Sequence, residues 1–180
     1  MLRRLSLAAL AALLAMPSAP TVVQAQEDHP FQIALIGPTM QLVDDDDNVR
    51  GLRINLLYGV NENVWGLDLG LINHTRGEGM AWQWGLVNLT EDSFTGWQEG
   101  FVNLAPGQFL GLQTGAVNHV GSGEGVQIAP LVNHAEYVAG FQLALINYAE
   151  DMYGLQVGLI NIIRSKESLP ILPIVNWKMN

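Results

Sequence analysis

Three groups of side chains in this chain are of types that bind or react: His74, His119 and His134; the run Asp44-Asp45-Asp46-Asp47; and the indoles of Trp82, Trp84 and Trp97. His119 and His134 lie 15 residues apart, and two imidazoles stacked at that spacing have the chemistry to hold a metal ion. No third ligand is evident, so the spacing predicts no metal site. The aspartate run has the charge for Ca²⁺ but lacks the glycine and terminal glutamate of a dedicated calcium loop, and it reads as a solvated loop. Gly121-Ser122-Gly123-Glu124-Gly125 is rich in glycine, but without a lysine and a strand-to-helix setting it is a turn rather than a phosphate cradle. Beyond residue 25 the only serines are Ser93, Ser122, Ser165 and Ser168, and no G-x-S-x-G, H-E-x-x-H or paired-cysteine signature occurs. No catalytic residue and no cofactor is therefore assigned, and the chain reads as non-enzymatic.

Asparagine sets the organisation. Asn73, Asn88, Asn103, Asn118, Asn133, Asn147, Asn161 and Asn176 recur every 14 or 15 residues, and most close the phrase G-x-Q-x-G-x-V-N. Such a period marks a repeat array in which each unit stacks on its neighbours. Stacked amides can bond to the amide above and below, so these eight positions are expected to form a structural ladder. Trp82 and Trp97 occupy one repeat position and Trp84 lies two residues on, where it shares a strand face with Trp82. Leu67 and Leu112 fill the Trp82 position in other units, so the register predicts that the indoles pack inside. Exposed instead, they would form a surface for a glycan or an apolar partner.

The elements that must position these residues follow from the alternation within each phrase. Leu67, Leu69 and Leu71 fall on one side of an extended strand, and Gly66, Asp68, Gly70 and Ile72 on the other. Two glycines in each phrase disfavour a helix. The pattern predicts an all-β array of about ten units of 14–15 residues, stacked as a parallel β-solenoid. The alternative is an antiparallel meander closed into a small β-barrel, with the Leu/Trp side toward lipid and the Gly/Gln side inward. Regular units run from 66 to 161, and degenerate units at 31–37, 51–58 and 170–176 are placed to cap the ends. Pro130, where glycine is expected, predicts a one-residue bulge or a change of register.

Residues 1–25 have the form of a bacterial secretory signal: Arg3 and Arg4, the apolar stretch from Leu5 to Met16, then Val23-Gln24-Ala25 before a mature start at Gln26. Residues 26–180 then make one repeat domain. The chain has no cysteine, so neither a lipid anchor on cysteine nor a disulfide is expected. The net charge of −9 becomes −11 once Arg3 and Arg4 are removed, which argues against nucleic acid and anionic lipid surfaces as partners. The compartment expected is the periplasm or cell surface, with an unidentified protein or glycan of the envelope as partner. Outer-membrane insertion belongs only to the barrel alternative.

The run Ile54-Asn55-Leu56-Leu57-Tyr58-Gly59-Val60 ahead of Gly66-Leu67-Asp68-Leu69-Gly70-Leu71-Ile72-Asn73, followed by repeated G-x-Q-x-G-x-x-N, resembles the surface-repeat-containing proteins of Gram-negative bacteria. The likeness spans about residues 31–176, with departures at Ala81, Pro130, Ala144 and Pro173. It implies export and a surface-facing role, and it names no active residue.

Overall fold

The computed structural model describes residues 26–179; the signal-like segment 1–25 lies outside them. Ten strands follow one another without a helix among the described residues: β1 (Asp28–Ile36), β2 (Met40–Gln41), β3 (Asn48–Asn61), β4 (Val64–Thr75), β5 (Glu78–Thr90), β6 (Ser93–Thr114), β7 (Val117–Ile128), β8 (Val132–Leu143), β9 (Ile146–Ile163) and β10 (Ile171–Lys178). β3 to β9 pair in parallel, each with the next, and β1 joins β3 in the same sense. The chain therefore winds as a parallel β-solenoid of about seven turns. A barrel is ruled out because successive units run parallel and the sheet stays open, with β10 at one end and β2 at the other.

Equivalent residues stack directly. Trp82 pairs with Trp97, Gln83 with Gln98 and Asn88 with Asn103. Glycine makes the coil possible at two positions. Gly66, Gly96, Gly111, Gly125, Gly140 and Gly154 bend the strand at φ between 126° and 154°, a region other residues rarely enter. The second position is set by close approach: a Cβ on Gly100 would lie 2.4 Å from the Gly85 carbonyl oxygen and 2.8 Å from Asn88 Nδ2. The expected irregularity at Pro130 is present. Gln127 stacks on Gln113, Asn133 on Asn118, and the extra residue is absorbed between Ile128 and Val132.

The interior departs from an ordinary core. Gln83, Gln98, Gln113, Gln127, Gln142 and Gln156 are wholly buried, as are the asparagines from Asn73 to Asn161. From Gln98 on, each glutamine donates Nε2–H to Oε1 of the glutamine one coil earlier, at 2.6–2.9 Å. From Asn73 to Asn147, each asparagine donates Nδ2–H the opposite way, to Oδ1 one coil later, at 2.8–3.0 Å. Two amide chains of opposed polarity thus run along the axis. Apolar side chains fill only the other part of the coil, where Phe94, Phe109, Val120, Val138, Met152 and Ile163 form a buried cluster.

The ends differ from the middle. At the start Asn55, not a residue of the asparagine column, donates to Asn73 Oδ1 at 2.8 Å. Gly59 occupies that column, and its lack of a side chain leaves the space that Asn55 fills. At the far end β10 reverses direction against β9 and brings Asn176 opposite Gln156. Asn176 is consequently no rung of the asparagine ladder. Its Nδ2 donates to the carbonyls of Asn161 and Pro170, and its Oδ1 accepts from Lys166 Nζ at 2.7 Å. Pro170 precedes β10 and Pro173 lies within it, and prolines suit an outermost strand that must not pair further.

Replacing Asn103 by Leu strands the amides of Asn88 and Asn118, and a loss of roughly 1–3 kcal/mol per orphaned group is expected. Chemical unfolding of the Asn103→Leu and Asn118→Leu variants measures it; midpoints equal to the parent's would mean the ladder contributes nothing.

Candidate functional site

Burying the amides dictates what faces outward. A strand alternates, so with Gln83 inside, Trp82 and Trp84 must point out. Trp82, Trp84 and Trp97 are 42%, 53% and 36% exposed, and the interior packing predicted from their register is wrong. The reason is that the Leu67 position is itself an outer one: Leu67, Leu71 and Leu86 are all exposed. The rings of Trp82 and Trp97 stack with centroids 5.4 Å apart, and Trp97 Nε1 donates to Thr114 Oγ1 at 2.8 Å. Trp84 stands beside them in register with Leu69 and Glu99.

The indoles belong to a larger surface. Four outward columns are apolar in nearly every coil, as in Leu67, Leu69, Leu71 and Ile72 or, five coils farther along the face, Phe141, Leu143, Leu145 and Ile146. The columns continue over both caps through Phe31, Ile33 and Leu35 at one end and Trp177 at the other. A shallow cleft between the columns is lined by Leu71, Trp84, Leu86 and Phe101 over Gly85 and Gly100. Glu99 is the one charged residue in these columns between Leu52 and Ile160. The acids gather across the coil, at Glu62, Glu78, Glu91, Asp92, Glu136, Glu150 and Asp151. The cylinder is amphipathic around its circumference.

The histidines occupy a single outer column. His119 and His134 lie with Nδ1 atoms 2.8 Å apart and ring centroids 4.9 Å apart. At that distance the Nδ1–H of one ring donates to the Nδ1 lone pair of the other, so the two Nδ1 atoms that face each other are engaged with one another. No cluster of three or more metal-ligating side chains is found among the described residues. Burial and the neighbouring His134 hold the His119 imidazole below its ordinary pKa. His74 lies in the same column three coils earlier, with Nδ1 2.8 Å from Tyr58 Oη and Nε2 2.7 Å from Glu91 Oε1. This Glu–His–Tyr line has the order of a proton relay, but burial raises the Tyr58 phenol above its usual pKa, the opposite of an activated nucleophile. The aspartate run serves structure: Arg76 bridges Asp45 and Asp46, and Asp47 accepts from the Glu27 amide.

One site escaped the sequence reading. Arg53 and Asp68 take the places of glutamine in the first full coils and form a wholly buried pair, with Nε to Oδ1 at 2.7 Å and Nη2 to Oδ2 at 2.6 Å. Asp68 also accepts from Asn55 Nδ2 and from Gln83 Nε2. Arg53 uses its remaining protons on the His74 carbonyl and Thr75 Oγ1. Both charged groups are hydrogen-bonded to one another and to further partners, so the pair ends the glutamine ladder without leaving charge unmatched. The signal was available: an arginine and an aspartate 15 residues apart in the glutamine column.

No family model, no curated protein and no solved structure matches this chain.

Two outcomes follow. An exposed indole should be quenched by iodide, and Trp84→Ala should change stability by less than about 1 kcal/mol rather than the roughly 3–5 of a buried tryptophan; poor quenching with a large loss would restore interior packing. The second concerns pH. His119 binds its proton less readily folded than unfolded, so stability is complete above the unfolded value of about 6.5 and falls as pH drops from there to the folded pKa. Thermal midpoints should decline between pH 7.5 and 5.5 by less in His119→Gln than in the parent; equal declines would remove His119 as a cause.

Proposed function

We propose that this chain is an exported, non-enzymatic structural and interaction module of the cell envelope, at the periplasm or cell surface, and that its working surface is the apolar half of the coil. The observation that carries the reading is the set of outward apolar columns, interrupted by Glu99 and Thr114, over an interior that is already filled. Leu71, Leu86, Phe101, Leu131, Leu145 and Leu159 contribute little to the buried core, since each is more than two-fifths exposed. A contiguous apolar surface on that scale is characteristic of a contact with another body. The form of residues 1–25 and the resemblance to surface-repeat-containing proteins support export. The reading needs no catalytic residue, cofactor or metal.

Cell fractionation tests it. The protein should begin at Gln26 and stay with the envelope fraction, and the double variant Leu86→Lys/Leu145→Lys should pass into the soluble fraction with its thermal midpoint unchanged. Recovery from the cytosol with residues 1–25 attached, or undiminished envelope retention of the double variant, would overturn the proposal.

A further inference from the structure

We propose that the partner of the apolar half-cylinder is the hydrocarbon of a lipid bilayer, in which the solenoid lies with its axis along the membrane plane and its acidic side in water. The inference rests on the interaction role argued above and supplies its partner. Three observations select a bilayer over a second protein surface.

The first is shape. Leu71 and Ile72 are consecutive, yet both point outward, at 47% and 37% exposure, and Leu159 and Ile160 repeat this one end of the stack away at 61% and 40%. A straight strand sends only one of two neighbours to each side. The chain therefore turns a corner there, and the pairing of β4 with β5 skips Leu71 and Leu86. The apolar columns thus run over a convex ridge, with the Leu67 and Leu69 columns on one flank and the Ile72 column on the other. A second copy docked flat against one flank leaves the ridge and the other flank in water. A fluid hydrocarbon phase wets both.

The second is backbone satisfaction. Lipid tolerates only backbone whose N–H and C=O groups are paired within the protein. The ladder skips the ridge residues themselves, but backbone bonds cross from coil to coil at the corner, as from Val132 N–H to the Ala116 carbonyl, Ile146 N–H to that of Leu131 and Ile160 N–H to that of Leu145, and the two open edges fall at the ends of the stack. Side-chain amides that would be costly in lipid are turned inward and bonded to one another.

The third is the arrangement of charge. The columns between Leu52 and Ile160 carry one carboxylate, Glu99, and the adjoining Leu110 column a second, Glu124, whereas seven acids between Glu62 and Asp151 crowd the opposite side of the coil. This segregation around a cylinder is that of an interfacial amphipathic helix, an apolar half immersed and a charged half solvated. Because the charged half is acidic, the lipid that fits is zwitterionic, and the apolar contact supplies the attraction without help from charge. Exposed indoles at Trp82, Trp84, Trp97 and Trp177 are the side chains favoured where hydrocarbon meets headgroups.

Flotation tests the proposal with the chain recovered from expressing cells and phosphatidylcholine vesicles, some carrying brominated acyl chains. The parent should float, its tryptophan emission should be quenched by the bromines, and replacing part of the lipid by phosphatidylglycerol should not strengthen binding. The variant Leu86→Lys/Phe101→Lys/Leu145→Lys should float at least about tenfold less, while Glu91→Lys/Glu150→Lys should float as the parent does; unchanged circular dichroism and melting certify that both variants fold. A parent that fails to float and sediments as a dimer dispersed by the ridge variant would overturn the bilayer and leave the interaction role standing. A parent that neither floats nor self-associates, and is not held in the envelope, would overturn both.

Discussion

The structure depends on amide groups stacked at the spacing of parallel strands. Coils lie about 4.8 Å apart, and at that distance one primary amide reaches the next with a full hydrogen bond. Gln83 to Gln156 and Asn73 to Asn161 form two such chains. Every rung inside a chain has a donor on one side and an acceptor on the other, so its burial leaves nothing unpaired, and neighbouring dipoles reinforce one another. The requirement is collective. A single apolar replacement orphans two neighbours, which is why the same residue must recur in coil after coil.

Ladders must also stop, and their terminators differ chemically. The glutamines donate toward the N-terminal end, where Asp68 offers only acceptors and so fixes the direction of the whole chain. Arg53 neutralises that carboxylate and binds it in two places. At the other end Gln156 Oε1 has no partner, the asparagine chain begins with an unpartnered Asn55 Oδ1, and Gln32 Nε2, beyond Arg53 in the glutamine column, is unpartnered too. The unpaired atoms therefore lie at the ladder ends, where the repeat ceases to supply the next rung. β10 closes the stack by running backwards, secured where Lys178 bonds Asp151 at 2.8 Å. The hydrogen bond from Lys178 is also the main reason the Asp151 carboxyl sits below its ordinary pKa.

Placing amides inside inverts the usual division of a protein for half of the coil. Under the Leu, Trp and Phe columns the interior is polar, and under the acidic columns it is apolar, with Phe94, Phe109 and Met152. Folding is thus served by one half and contact by the other. The outer columns are free to vary in identity, from Leu67 through Trp82 and Trp97 to Phe141 and Leu155, because outside the coil only the apolar character of the site matters. The inner glutamine and asparagine columns have no such latitude.

The period and the lack of helix among the described residues were legible in the sequence, and the parallel solenoid was the first of two windings that a 15-residue spacing admits; the parallel pairing of β3 to β9 decides it against the antiparallel meander. The asparagine phase announced one ladder, and Pro130 announced the irregularity that Gln127 and Asn133 absorb. Alternation also grouped Leu67, Leu69 and Leu71 correctly on one side, but it set Ile72 with Asp68 on the other, whereas the corner at Leu71 turns Ile72 outward as well. What alternation does not carry is which set lies inside. Hydrophobicity taken alone puts leucine and tryptophan in the core, and for this chain that is reversed. The choice is made by the bent coil: its narrow interior admits amides that bond along the axis and, by Gly85 and Gly100, leaves no room for larger groups. The reversed final strand likewise takes Asn176 out of a column to which its spacing assigns it. Residue order within a strand determines parity and period, and only the closure of the coil, which sets interior width and end pairing, decides which side each parity faces.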